Sequence, residues 1–369
     1  MEFRDLKQQY QFHKKAIDAA IMRVVEGANF IGGGYVRQLE QALSEYVGVR
    51  HCVTCANGTD ALQLALMTWG IGKGDAVFVP DFTFFSSGEV VPHVGATPIF
   101  IDVESDTYNI SADSLEKAVE YVLDHTELKP RVIVAVDLFG QPADYAKIRK
   151  VANRYGMYIL EDGAQGFGGG INKKKACSFG DISTTSFFPA KPLGCYGDGG
   201  ALFTDNDEWA DTLYSLCVHG KGRDKYENEH IGMNSRLDAL QASLLIEKLK
   251  FFDEEINLCA KLSQEYNMRL KNRVKLPVIK KGMQSSWAQY TICFENVEQR
   301  EKAIENLKKR GIPNAIYYKK PMHEQKAFKP WKIDMLDYAV TMQLCKTCLS
   351  LPMHAYLNIN DIDEICLLV

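Results

Sequence analysis

A single lysine interrupts the run from Ser183 to Gly200, which otherwise consists mainly of apolar, hydroxyl and glycine residues. The segment Ile182–Phe188 before it reads as a mostly buried strand, and Ala201–Thr204 after it as another. An amine between two buried strands is costly unless a partner neutralises it or chemistry uses it. A snorkelling surface lysine is the plainer alternative for Lys191. A second polar group stands upstream, where the apolar run Met157–Leu160 ends in Glu161-Asp162 and continues Gly163-Ala164-Gln165. Carboxylates at the carboxyl end of a buried strand lie where open α/β sheets bind ligands. Helix N-capping is the simpler role for Asp162. The third feature is Asn57-Gly58-Thr59-Asp60, between a strand at Cys52–Ala56 and a helix that runs to Trp69. Backbone N–H groups at such a helix start form an anion site.

Taken in order, an anion cradle, a carboxylate and an amine are the requirements of pyridoxal 5'-phosphate. Gly58 and Thr59 would hold the phosphate, Asp162 would pair with the protonated pyridine nitrogen, and Lys191 would form the Schiff base. The sequence at this point resembles the DegT/StrS family of fold-type-I nucleotide-sugar aminotransferases. The resemblance rests on Ile31–Gly33, Gly58-Thr59-Asp60-Ala61-Leu62, Pro80 to Phe84, Glu161-Asp162 with Gln165, Ser186 to Gly200, Asn234 to Leu237, and Tyr318 with Pro321-Met322-His323. The run Ser186-Phe-Phe-Pro-Ala-Lys-Pro-Leu-Gly-Cys-Tyr-Gly-Asp-Gly-Gly is similar to that of transaminases acting on UDP-linked 3-keto hexuronic acids.

The resemblance implies roles beyond the three anchor groups. Phe84 would stack on the cofactor ring, Gln165 would bond its ring oxygen, and Ser186 would add a hydroxyl to the phosphate cradle. Asn234 would reach the phosphate of the other subunit's cofactor, which implies a homodimer with shared active sites. Gly33, Arg236, Tyr318 and His323 would contact the substrate, with Arg236 matched to a carboxylate by its bidentate fork. L-glutamate would be the amino donor and a nucleotide-linked keto-sugar the acceptor, in surface-polysaccharide (lipopolysaccharide) biosynthesis. Gly34 and Tyr317 depart from the proline and histidine common in the family. The alternatives are a 4-keto-6-deoxy sugar substrate with the same chemistry, or a cofactor-binding regulatory protein without turnover.

These residues need a scaffold, and the hydrophobic pattern describes one. Strands are expected at Cys52–Ala56, Ala76–Val79, Pro98–Val103, Val132–Val136, Met157–Leu160, Ile182–Phe188 and Ala201–Thr204, with helices between them. This alternation predicts an α/β protein: a large, mostly parallel sheet covered by helices, as fold type I implies, and a smaller α+β C-terminal domain. The division is placed at residues 1–250 and 251–369. Helices are expected at Asp5–Glu26, Val36–Val47, through Leu249, again to Leu270, at Glu298–Arg310 and after Asn360. Strands are expected near Val274–Val278 and Trp287–Phe294. The polar stretch from His219 to Ile231 reads as a long functional loop.

With 369 residues, 46% of them hydrophobic, the chain is long enough for a substantial core. A net charge of -4 argues against nucleic acid as a main partner. The amino terminus lacks the apolar stretch of a signal peptide and no run reaches membrane-spanning length, so a cytoplasmic protein with no membrane partner is expected. Ten cysteines spread over this length read as reduced thiols. Of the two Cys-x-x-Cys pairs, Cys52/Cys55 would point to opposite faces of a strand and Cys345/Cys348 to one face of a helix. Neither is flanked by histidines at ligand spacing, and no metal is expected.

Overall fold

The computed structural model describes all residues except 225, 332, 334 and 335. Lys225, within the expected loop at 219–231, therefore lies outside the described residues. Two helices open the chain, α1 (Leu6–Gly27) and α2 (Gly34–Val47), followed by β1 (His51–Cys55) and α3 (Gly58–Thr68). Strand–helix units continue through β2 (Asp75–Pro80), α4 (Ser86–His93), β3 (Thr97–Ile101), α5 (Ala112–His125), β4 (Lys129–Val136), α6 (Tyr145–Tyr155) and β5 (Tyr158–Asp162). A short ribbon, β6 (Gly170–Ile171) and β7 (Lys174–Lys175), precedes β8 (Ile182–Ser186), β9 (Gly200–Thr204) and α7 (Asp207–Cys217). The remainder comprises α8 (Ala239–Leu270), β10 (Met283–Gln284), β11 (Tyr290–Cys293), α9 (Val297–Lys309), α10 (Ala339–Thr347), β12 (Cys348–Leu351) and α11 (Ile359–Leu368).

Seven strands form the main sheet in the order β1-β9-β8-β5-β4-β2-β3. The pairs β5–β8, β4–β5, β2–β4 and β2–β3 are parallel, and only β9 runs against its two neighbours. Strands β2 and β4 bury both faces, which explains their unbroken Ala76-Val-Phe-Val and Val132-Ile-Val-Ala-Val runs. One apolar layer takes Val77, Val79, Val132 and Val134 with α3; the other takes Ala76, Phe78, Ile133 and Ala135 with α5 and α6. Burying each of the valine, isoleucine and phenylalanine side chains among them stabilises the fold by roughly 1.5–3 kcal/mol. Cys52 and Cys55 fall in different core clusters, as period-two alternation requires.

Three expectations are corrected. The two helices expected through Leu249 and on to Leu270 are a single helix of 32 residues, so residue 250 lies inside α8. The helix changes partners along its length: Leu245, Phe252 and Ile256 pack with the large sheet region, while Cys259, Leu262 and Tyr266 pack with β11, β12, α9 and α11. No glycine or proline interrupts it, so it spans two cores without a break. The strand expected at 274–278 reduces to one isolated bridge, Lys275 to Cys293. Cys345 sits on α10 but Cys348 opens β12, so the pair does not share a helix face. All ten cysteines are buried and free. No helix among the described residues is long and apolar enough to cross a membrane.

Candidate active site

The carboxyl ends of the parallel strands bring the three anchor groups to one edge of the sheet. Strand β5 ends on Asp162, β8 ends on Ser186, and β1 leads through Asn57 into α3, whose first residue is Gly58. The Asn57 side chain caps α3 by accepting from the Asp60 N–H at 2.8 Å. The first N–H groups of any helix lack intrahelical partners, so Gly58 and Thr59 retain donors for an anion. Glycine at position 58 is required by approach rather than by backbone angle. A Cβ there would lie 2.6 Å from the Ser186 Cβ. Helix α3 and the end of β8 thus close on each other, and the Thr59 hydroxyl meets that of Ser86 at 2.8 Å.

Asp162 is 6% exposed. Its Oδ2 accepts from the Ser87 hydroxyl at 2.7 Å and its Oδ1 from the Ala164 N–H at 3.2 Å. Thr83 in turn meets Ser87 at 3.1 Å. Ser87 and Thr83 were not singled out from sequence, because nothing local links α4 to a carboxylate 75 residues away. Both partners of Asp162 are neutral, and among the described residues no ion pair involves it. A buried carboxylate whose direct hydrogen-bond partners are all neutral is costly. This one fits a protonated ring nitrogen, and the cradle at Gly58 fits a phosphate, so the residues present suit pyridoxal phosphate.

Lys191 lies on the turn between β8 and β9, its N–H bonded to the Phe188 carbonyl at 2.8 Å. Burial pushes its amine below the usual lysine range; the nearby Asp162 carboxylate opposes this and the Arg4 guanidinium adds to it. An amine so placed is more readily uncharged, which suits a nucleophile and base.

Gln165 is held on two sides. Its Oε1 accepts from the Phe139 N–H at 2.8 Å, and its Nε2 donates to the Tyr318 hydroxyl at 3.3 Å. Tyr318 packs edge-on against Phe82, with centroids 5.8 Å apart. Phe82 is the core aromatic of its segment at 1% exposed, whereas Phe84 is 53% exposed. Simple core packing is therefore not the role of Phe84.

The segment before α8 is anchored by Ser235, which is fully buried. Its hydroxyl donates to Asp60 at 2.7 Å and accepts from the Ala56 N–H at 3.1 Å. Asn234 is exposed and Arg236 half-buried on either side of it. Gly33 caps the start of α2, with the Asn29 amide 2.5 Å from where its Cβ would stand, and an Ile31–Asp238 bridge joins its loop to α8.

His323, which the resemblance implies at the substrate, is held to the main sheet through its Nδ1 and backbone N–H. It is 7% exposed, its Nδ1 lies 2.7 Å from Asp81 Oδ2, and its N–H donates to Asp81 Oδ1 at 2.8 Å. The ring also stacks on Tyr338 at 4.1 Å. With Asp81 fully buried at the exit of β2, the pair fastens the Pro321–His323 segment to the main sheet rather than offering a ring to solvent.

Comparison with known proteins places this geometry. The chain is 41% identical to a Pseudomonas aeruginosa UDP-2-acetamido-2-deoxy-3-oxo-D-glucuronate aminotransferase, covering 99% of this chain and 98% of that protein. It is 36% identical to a Geobacillus stearothermophilus protein named a pleiotropic regulatory protein, covering 96% and 93%. The crystal structure of a DegT DnrJ EryC1 StrS aminotransferase from Brucella abortus superposes with a TM-score of 0.97 at 46% identity, covering 100% of this chain and 98% of that one. The pattern of the DegT/DnrJ/EryC1/StrS aminotransferase family matches residues 11–369. A fold-type-I scaffold, an amine, a carboxylate and an anion cradle at one sheet edge, and this match along almost the whole length agree: the chain belongs to the DegT/DnrJ/EryC1/StrS aminotransferase family.

Proposed function

We propose that the protein moves the amino group of L-glutamate, through pyridoxal 5'-phosphate, onto the 3-keto position of a UDP-linked hexuronic acid destined for surface polysaccharide. The observation that carries the reading is the convergence of Lys191, Asp162 and the Gly58–Ser186 cradle, in a chain 41% identical to an enzyme named for such a substrate. The bound cofactor supplies an electron sink for the carbon that loses its proton. The chain's residues do the rest. Gly58, Thr59 and Ser186 would hold the phosphate, Asp162 the protonated ring nitrogen, Gln165 the ring oxygen, and Phe84 one ring face. Lys191 Nζ would hold the cofactor and, freed when the donor amine takes its place, would remove the proton from the donor α-carbon. In the second half-cycle it would deliver a proton to the sugar carbon that gains nitrogen. Glutamate alone should shift the absorbance of the holoenzyme to that of its aminated cofactor; a non-catalytic regulatory protein would show no change.

Each active site is read as shared between two chains, because Asn234 is exposed on its own chain while its neighbour Ser235 is locked inward. Mixing Lys191→Ala and Asn234→Ala chains should restore part of the lost activity, since one of the two hybrid sites receives both intact residues. Absence of rescue, with subunit exchange demonstrated and each parent defective, would count against the shared site.

Arg236 is read as the group that recognises the sugar carboxylate. Among the described residues its guanidinium makes no hydrogen bond or ion pair, so its fork is free for a ligand. Losing one partner of a charge-assisted bond costs roughly 1.5–3 kcal/mol, about ten- to a hundredfold in affinity. Wild type should therefore prefer the 3-keto uronic acid over a neutral 3-keto analogue by that factor, and Arg236→Ala should lose the preference. Equal use of both substrates by wild type would place carboxylate recognition elsewhere.

A further inference from the structure

Behind the turn that carries Lys191 lie two cations, Arg4 and Lys248. Arg4, just ahead of α1, donates from Nη2 to the Pro192 carbonyl at 3.1 Å. Lys248, on α8 and 2% exposed, donates from Nζ to the Gly194 carbonyl at 2.6 Å and lies 5.3 Å from the Tyr196 ring centroid. The two carbonyls belong to the first and third residues after Lys191. The turn has little other freedom, because the Cys195 N–H bonds the Phe187 carbonyl at 2.8 Å and a Cβ on Gly194 would lie 2.4 Å from the Pro189 oxygen.

One carboxylate, Glu255, acts electrostatically on both cations. Glu255 of α8 accepts from the Gln9 amide at 2.9 Å and from the Tyr356 hydroxyl. Arg4 also faces Cys259 of α8, and the residues ahead of it are bound across to the C-terminal region. The Phe3 carbonyl accepts from the Met353 N–H at 3.3 Å, the Glu2 carbonyl meets His354 Nε2 at 3.3 Å, and the Phe3 ring lies edge-on to Tyr317 at 6.3 Å. The N-terminal segment therefore ties the Lys191 turn to the small-domain side of the molecule.

We infer that Arg4 is a positioning residue for Lys191, with Lys248 as a second tether: the two fix the turn from behind through the Pro192 and Gly194 carbonyls. The inference rests on the reading of Lys191 as the cofactor-bearing lysine. The charged groups facing Lys191 are Asp162 from β5 and Arg4 from the N-terminal segment. Lys248 faces Glu255, Arg4 and Cys195, and burial lowers its own amine to about 8. A positive charge beside an amine disfavours its protonated form, so removing Arg4 should make Lys191 hold its proton to higher pH.

The test has two readouts. In the cofactor-free full chain, the pH dependence of Lys191 acetylation by acetic anhydride, followed by peptide mass spectrometry, reports the amine directly. In the holoenzyme, the glutamate half-reaction gives rate and apparent affinity. Arg4→Gln removes the charge and leaves an uncharged amide N–H on a shorter side chain. It should raise the Lys191 midpoint by about half a pH unit or more, as loss of a charge in a partly buried setting does. It should also slow the half-reaction about tenfold at neutral pH while changing the glutamate affinity less than about twofold. Arg4→Lys should restore the midpoint and most of the rate. Lys248→Met should slow the half-reaction with a smaller change in midpoint. An unmoved midpoint in Arg4→Gln, an Arg4→Lys variant no better than Arg4→Gln, or a loss confined to glutamate affinity would each overturn the inference. Should Arg4→Gln not fold, Arg4→Met takes its place under the same readings. If borohydride fixes the cofactor to another lysine, the reading of Lys191 itself falls. If the cofactor is on Lys191 and its midpoint does not move, only the role of Arg4 does.

Discussion

Lys191→Ala is expected to leave a folded chain that still binds pyridoxal phosphate noncovalently but turns over at least about a thousandfold more slowly. General acid–base catalysis by one positioned group contributes about 10²–10⁴ in rate, and this variant also loses the covalent hold on the cofactor. The fold should survive, because the turn is fastened by the Lys191 backbone N–H and by the Pro192 and Gly194 carbonyls, none of which needs the lysine side chain. Removing a partly buried amine whose proton affinity is depressed also relieves a desolvation cost. Borohydride reduction followed by peptide mapping should place the cofactor on Lys191 of the wild type. Finding it on Lys221 or any other lysine would overturn the assignment.

The second large effect is expected from Asp162→Asn, which preserves shape and removes charge. The amide oxygen can still accept from the Ala164 N–H, and the amide NH2 can donate to the Ser87 hydroxyl, which is free to turn toward Thr83, so the segment after β5 should keep its conformation. The protonated ring nitrogen would lose its counter-charge in a buried setting. Removing one partner of a buried ion pair costs about 3–5 kcal/mol, which corresponds to roughly two to four orders of magnitude if it falls on the rate. The variant should therefore bind cofactor, seen as retained absorbance after gel filtration, and show a glutamate half-reaction slower by about that factor. Near wild-type turnover would reduce Asp162 to a turn cap for the Ala164 N–H.

How much of this could be read from the amino-acid sequence depends on the range of the interaction. Strands β2, β4 and β5 and helices α3, α5 and α6 follow from local signals: apolar runs buried on both faces, helical spacing, and caps such as Asn57 and Asp144 whose side chains bond N–H groups three residues on. The Lys191 turn is equally local, since a lysine set among apolar, hydroxyl and glycine residues is conspicuous without any fold. Local pattern misled where tertiary contacts outweighed it. Residues 274–278 have strand-like composition, yet only Lys275 finds a ladder partner. Helix α8 runs through residue 250 because two different cores bury successive parts of it.

The sequence by itself determined which groups are available for chemistry and the order in which they occur. Tertiary structure alone decided which of them meet. Ser87 bonds Asp162 across 75 residues, Gln165 bonds Tyr318 across 153, and Arg4 bonds Pro192 across 188. His323 meets Asp81 across 242 residues, which fastens its segment to the exit of β2. The choice between Phe82 and Phe84 as the buried ring was also settled by the sheet, through the position of Tyr318. Periodicity and capping report only on neighbours within a few residues along the chain. Contacts at these separations depend instead on strand order and crossover, which bring the carboxyl ends of β1, β5 and β8 to one edge, and no local propensity encodes that order.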